Sequence, residues 1–311
     1  MKIRKKSVWM PAMVLTAVFP LMVGLGGLAG ADEPVPVTVE EAYPGLATGI
    51  LKSARLTDME KDVLLQAYQV EIREDFAGKI LGEAPPEMRK ELEKNLFFLL
   101  EQKAMEMLIK QDAVSMGISA DQPKEEMLKA YVERLTDGIT VNEAEMKAFY
   151  ETNKAMVGGM PFDQVKESIE PFLLEQKKVA ALDARIEGLG KRTDIRVNRD
   201  WVKKQAESAR DNPVDKARMS GKPTLVEFGA AGCVPCDMMQ PILDKLRKKF
   251  HDTLNVVFVH VRENQLLGAR FGIRSIPVQA FFDRNGKEVF RHVGFYAEEE
   301  VLKQLARLGV K

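Results

Sequence analysis

Cys233 and Cys236 are the only cysteines among 311 residues, with Val234-Pro235 between them. Two thiols at this spacing suit a redox pair, half of a metal site or an inert cross-link. Their flanks favour the first use. "TLVEF" at 224–228 reads as a short buried strand, and a helix with Pro241 inside it follows the cysteines. Cys233 then stands at a helix start and Cys236 one turn further on. Unpaired amides at a helix N-terminus stabilise an anion, so Cys233 is expected to be the attacking thiolate. Cys236, inside the first turn, is poised to attack a mixed disulfide and release the partner.

Metal is the main rival. A tetrahedral zinc site needs about four ligands, and beyond the thiols the chain offers only His251, His260 and His292. His260 and His292 fall in expected strands with no ligand spacing to the cysteines, so no metal site is expected. Two thiolates beside Met238 and Met239 leave one alternative, a copper(I)-binding or redox-sensing chaperone without turnover.

The elements that must position this pair occupy the last third of the chain. Asn212 is a helix cap, Pro213 a first helical residue and Gly221 a stop. "LNVVFVHV" reads as a strand and "NQLLGARFGI" as a short helix. "VQAFFD" and "KEVFRHVGF" flank an Asn285-Gly286 hairpin turn, and "AEEEVLKQLARLG" is an amphipathic helix. The expected order is helix, strand, helix, strand, helix, strand, strand, helix, a mixed sheet with helices on both faces.

Upstream, residues 1–31 read as a signal peptide. "MKIRKK" precedes an apolar run from Val8 to Leu28, and Ala29 and Ala31 stand at cleavage-site spacing. An uncleaved membrane anchor is the alternative. Without this segment's four bases the chain carries 42 bases against 46 acids, which gives no electrostatic case for nucleic acid. Export also fits a persistent disulfide.

Residues 32–58, rich in Pro, Gly and small residues, read as an extended lead-in. Residues 59–200 read as mainly helical. One long helix is expected from Pro85-Pro86 through "KQDA". A second starts at Asn142 with Glu145 completing a capping box. A third carries Phe162, Val165, Ile169, Leu173, Val179, Leu182, Ile186 and Leu189 on one stripe, with a kink at Pro171. "AYQVEIRE" alternates as one short strand.

With these motifs in place, residues 212–311 resemble thioredoxin. The resemblance rests on "VEF" before "CVPC", Pro241, "FGIRSIP", the Asn-Gly hairpin and Gly294. It implies a thioredoxin fold for 201–311 and a cis Pro277 opposite Cys233. It also implies that Ile276 offers backbone groups to an extended client as an added strand, with Pro277, Val234 and Pro235 beside it. Glu227 takes the place of the family's buried acid beneath the active site. A buried acid is costly without a role, and its expected role is to accept or relay the proton of Cys236. Gly232 and Gly229 replace aromatic residues usual in the family, and Asp237 a common lysine, so the direction of exchange stays open.

"VNEAEMKAFYETN", the striped third helix and "IRVNRDWV" resemble the chaperone helices of SurA-type periplasmic folding factors. In those a parvulin domain separates the two pieces. Here only "KAMVGGM" does, so no prolyl isomerase activity is expected. The combined expectation is an exported thiol-disulfide oxidoreductase that needs no cofactor. Its partners would be unfolded or disulfide-bonded exported proteins and a redox partner.

Overall fold

The computed structural model describes residues 37–154 and 157–311. The expected leader at 1–31 lies outside the described residues. Among those described, no helix is long and apolar enough to cross a membrane.

The first half is largely helical around a small sheet. Helix α1 (Val39–Ala42) is opened by a capping box between Thr38 and Glu41. Strands β1 (Arg55–Thr57), β2 (Val63–Ala67) and β3 (Val70–Arg73) follow. Next come α2 (Asp75–Glu83), α3 (Pro86–Lys94), α4 (Leu96–Ser115), α5 (Lys124–Thr136), α6 (Glu143–Thr152) and α7 (Phe162–Arg192). Strand β4 (Ile195–Asn198) and α8 (Arg199–Ala209) close this half. The sheet order is β1-β4-β2-β3, with β1 parallel to β4. Asn142 and Glu145 form the expected capping box, and α7 runs through Pro171.

Four features differ from the sequence reading. From Val37 onward the expected lead-in is structured: Val39, Ile50, Leu51, Ala54 and Leu56 are buried in the first core, because β1 is a strand of the sheet. The expected single strand over 67–74 is the turn and second arm of a hairpin. Its two-residue turn places Tyr68 at φ 49°, which no Gly or Asn announces. The expected long helix from Pro85 breaks at Asn95, whose side chain donates to the Glu91 carbonyl and carboxylate. Finally, a boundary between 200 and 201 falls inside α8. Val202, Ala206 and Ala209 of that helix belong to the first core.

The second half follows the expected order: α9 (Pro213–Arg218), β5 (Thr224–Gly229), α10 (Val234–Lys249), β6 (Asn255–His260), α11 (Gln265–Arg270), β7 (Val278–Phe282), β8 (Glu288–Val293) and α12 (Glu298–Arg307). The sheet order is β6-β5-β7-β8, with β5 parallel to β6 and antiparallel to β7. Every residue of β5 and β7 is buried, since helices cover both faces. Leu225 and Phe281 face the α10 and α12 side. Val226, Phe228 and Phe282 face the other, with Leu267 and Phe271. Each such side chain, fully buried, contributes roughly 1.5–3 kcal/mol.

The halves meet through a buried ionic cluster. Asp215 of α9 accepts from Arg218 Nε (2.5 Å) and Arg270 Nη1 (2.7 Å). Arg270 also donates to the carbonyls of Ala209 and Gly45. Gly45 has φ +69°, and a Cβ there would collide with the Arg218 guanidinium. The close approach therefore requires glycine.

Candidate active site

Strand β5 ends at Gly229, and the loop from Ala230 delivers Cys233 to the N-cap of α10. This lies beyond the carboxyl ends of the parallel pair β5 and β6, the usual place for chemistry in such sheets. Gly232, at φ 75°, makes the turn into the helix. The loop is held from β6: the Ala231 N–H donates to His260 Nε2 at 3.2 Å, and Arg262 Nη1 donates to the Ala231 carbonyl. His260 therefore braces the active-site loop, a role that no motif in the sequence signals. An acceptor at Nε2 leaves the ring proton to Nδ1, which faces Glu263 at 3.6 Å.

Cys233 and Cys236 are joined as a disulfide. Their settings differ. Cys233 is half-buried at the helix start, where unpaired amides favour a thiolate once the bond is reduced. Cys236 is 1% exposed. Val234 between them is 71% exposed and Pro235 is half-buried, so the loop presents an apolar tip beside the more accessible sulfur. Among the described residues no group of three or more His, Cys, Asp or Glu side chains is placed to hold a metal.

Pro277 is buried and its peptide with Ile276 is cis. It immediately precedes β7, whose Val278 pairs with Phe228 of β5. That register puts Ile276 and Pro277 at the sheet end from which the cysteine loop leaves. The Pro277 carbonyl accepts from Gly294 N–H at 2.8 Å. Among the described residues no backbone hydrogen bond engages the Ile276 amide or carbonyl.

Glu227 lies two residues before Gly229 on the same face of β5. A Cβ on Gly229 would lie 3.4 Å from Cys236 Cβ and 3.0 Å from the Phe258 ring. The face that carries Glu227 is therefore the face against which Cys236 packs, and Phe258 fills the space a side chain at 229 would need. Glu227 is fully buried. Gln279 Nε2, directly across on β7, donates to its Oε2 at 2.9 Å. Burial pushes the Glu227 carboxyl up to about 8, against the pull of the Gln279 amide toward the ionised form. Gln279 was not singled out in the sequence, because only the strand register brings it to Glu227.

A Thioredoxin family profile matches residues 202–307. The thioredoxin of Alicyclobacillus acidocaldarius is 36% identical over 96 residues, which cover 31% of this chain and 90% of that protein. Thioredoxin 1 of Synechococcus elongatus is 39% identical over 24% of this chain and 69% of its own length. A solved mutant thioredoxin from Halobacterium salinarum is 28% identical over 32% of this chain and 83% of its own, with a TM-score of 0.29.

This chain belongs to the thioredoxin family. Membership assigns the second half a thiol-disulfide oxidoreductase type of chemistry. The first half lies outside the matched residues, apart from α8.

Proposed function

We propose that the protein is an exported oxidoreductase that exchanges disulfides with polypeptide clients through Cys233 and Cys236. The observation that carries this reading is the asymmetry of the pair: Cys233 is half-buried at a helix N-cap, and Cys236 is enclosed on the face shared with Glu227. In the reducing direction the Cys233 thiolate attacks a client disulfide, and one client sulfur leaves as thiolate. Cys236 then loses its proton to Glu227 and attacks Cys233 Sγ. The Cys233–Cys236 bond forms, the bond to the client breaks, and the second client sulfur leaves and is protonated. An acid with a pKa near neutrality suits such a transfer. Val234, Pro235, Ile276 and Pro277 line the path of the client, which Ile276 receives as an added strand.

The first half holds the client beside this site. Helices α6 and α7 pair through Phe149 and Phe172, with ring centroids 5.3 Å apart. Half-buried Phe172, Leu173, Leu174 and Val179 leave apolar surface along α7. The same helix reaches the docking loop, where Arg274 Nη2 donates to Asp183 Oδ1 at 2.9 Å, two residues before Ile276. The SurA-like pattern of α6, α7 and α8 accords with a chaperone role in an exported protein.

Trapping tests the exchange. Cys236→Ser in the full chain leaves an attacker without a resolver, so mixed disulfides with clients accumulate on non-reducing gels. Cys233→Ser accumulates none. Equal trapping by both variants would refute the assignment.

A further inference from the structure

Glu227 and Gln279 each end in a buried oxygen with no partner. Gln279 Nε2 donates to Glu227 Oε2, yet Glu227 Oε1 and Gln279 Oε1 are both unsatisfied. Both residues are fully enclosed in the centre of the sheet, where an orphaned polar atom carries its full desolvation penalty. An ionised carboxylate and an amide oxygen are both acceptors, so in that state neither oxygen can relieve the other. One added proton changes the count. A protonated Glu227 Oε1 is a donor, and the nearest side chain already hydrogen-bonded to the same carboxyl carries the free acceptor. Acid and amide then match at two points, N–H to carbonyl and O–H to carbonyl.

We propose that Gln279 is a positioning residue that, in the oxidised protein, fixes the proton of the buried neutral Glu227 toward its amide oxygen in a two-point acid–amide pair. The idea rests on the exchange reading above and adds where the proton goes. When Cys236 attacks Cys233 Sγ, the sulfur–sulfur bond to the client breaks and the Cys233–Cys236 bond forms. The proton released by Cys236 ends on Glu227 Oε1 and is bonded there by Gln279. In the reverse direction the pair returns that proton to Cys236 as the bond opens, and Gln279 keeps a single bond to the carboxylate. The structure contains the disulfide, the state in which the proton is stored.

The test is infrared spectroscopy of the oxidised full chain at neutral pH, with Glu227→Gln identifying the band of the protonated Glu227 carboxyl. The wild-type band is expected at the low frequency of an acid that both donates and accepts. Gln279→Leu, close in volume and without polar atoms, is expected to move it upward to that of a free acid. The same variant is expected to slow resolution of a mixed disulfide about fivefold, the worth of one hydrogen bond. A band unmoved in Gln279→Leu overturns the proposal. So does the absence of a protonated-carboxyl band in the wild type, which decides the matter even if the variant fails to fold. The exchange reading fails separately: if Cys236→Ser traps no client while the band shifts, the pair stands and the oxidoreductase reading falls. If trapping occurs and the band stays, only the pair falls.

Discussion

Asp215 and Glu227 are both fully buried acids in the thioredoxin half, and their surroundings could hardly differ more. Asp215 meets two guanidiniums and the Asn212 amide. Burial pushes its carboxyl up, but Arg270, Arg218 and Asn212 together outweigh this and hold it below the usual carboxylate range. Glu227 meets one neutral amide, and burial pushes it up to about 8. Burial alone therefore says little about what an acid does. An acid whose lone pairs are taken by cations is committed to its charge and serves as a fastener. An acid left with one amide can gain or lose a proton near neutral pH, which is what the proposed exchange asks of Glu227.

Three measurements would break or sharpen this contrast. At neutral pH Asp215→Ala has the largest expected effect, because it leaves Arg218 and Arg270 buried without a counter-charge. A loss of about 3–5 kcal/mol is expected in urea denaturation. A loss below about 1 kcal/mol would show that the cluster is not a fastener.

Glu227→Gln comes next, and its effect depends on pH. Below about pH 4.5 the acid is protonated in both folded and unfolded chains, so substitution changes little. As pH rises toward 8 the unfolded chain ionises this group while the folded one resists. Wild-type stability therefore falls across that window relative to Glu227→Gln, by about 5 kcal/mol in total. Above pH 8 the gap is constant. A gap that does not change between pH 4 and pH 9 would remove Glu227 from its contrast with Asp215. The same variant is expected to slow mixed-disulfide resolution by tenfold or more, as measured by stopped-flow decay of the transient mixed disulfide with Cys236 present.

The smallest effect is expected at Arg274, whose pair with Asp183 is exposed on both sides. Exposed pairs contribute about 0–1 kcal/mol, so Arg274→Ala should leave stability and reduction of a small disulfide unchanged. Turnover of an unfolded, disulfide-bonded protein is expected to fall about two- to fivefold, because a client held on α7 loses part of its local concentration. Equal rates on both substrates would leave the first half without a part in client delivery.

The second half was legible because its signals are local. "CVPC" after a buried strand, "SIP" before another and Asn285-Gly286 at a turn each carry their meaning within a few residues. The first sheet was not, because its pairing is remote. β1 at Arg55–Thr57 meets β4 at Arg196–Asn198 in parallel, and neither segment reads as a strand alone. Tyr68 hid the β2–β3 turn, since a tyrosine at positive φ has no sequence signature. At the site, the cysteines were read from their spacing and flanking elements, and Glu227 and Pro277 from the thioredoxin resemblance. Gln279 and His260 were not, since one is brought in by strand register and the other by the start of a loop.

The long helix α7 also sets a distance. Phe162 opens it, and Asp183, paired with Arg274 of the loop before Pro277, lies about 32 Å further along its axis at 1.5 Å per residue. An extended polypeptide covers that span in about ten residues. Under the proposed function, a client gripped near the far end of the helix would present to Cys233 only a cysteine at least about ten residues from the grip. Disulfides would then be chosen by their spacing from an apolar segment, a selection by measure that needs no recognition of the sequence around the cysteine.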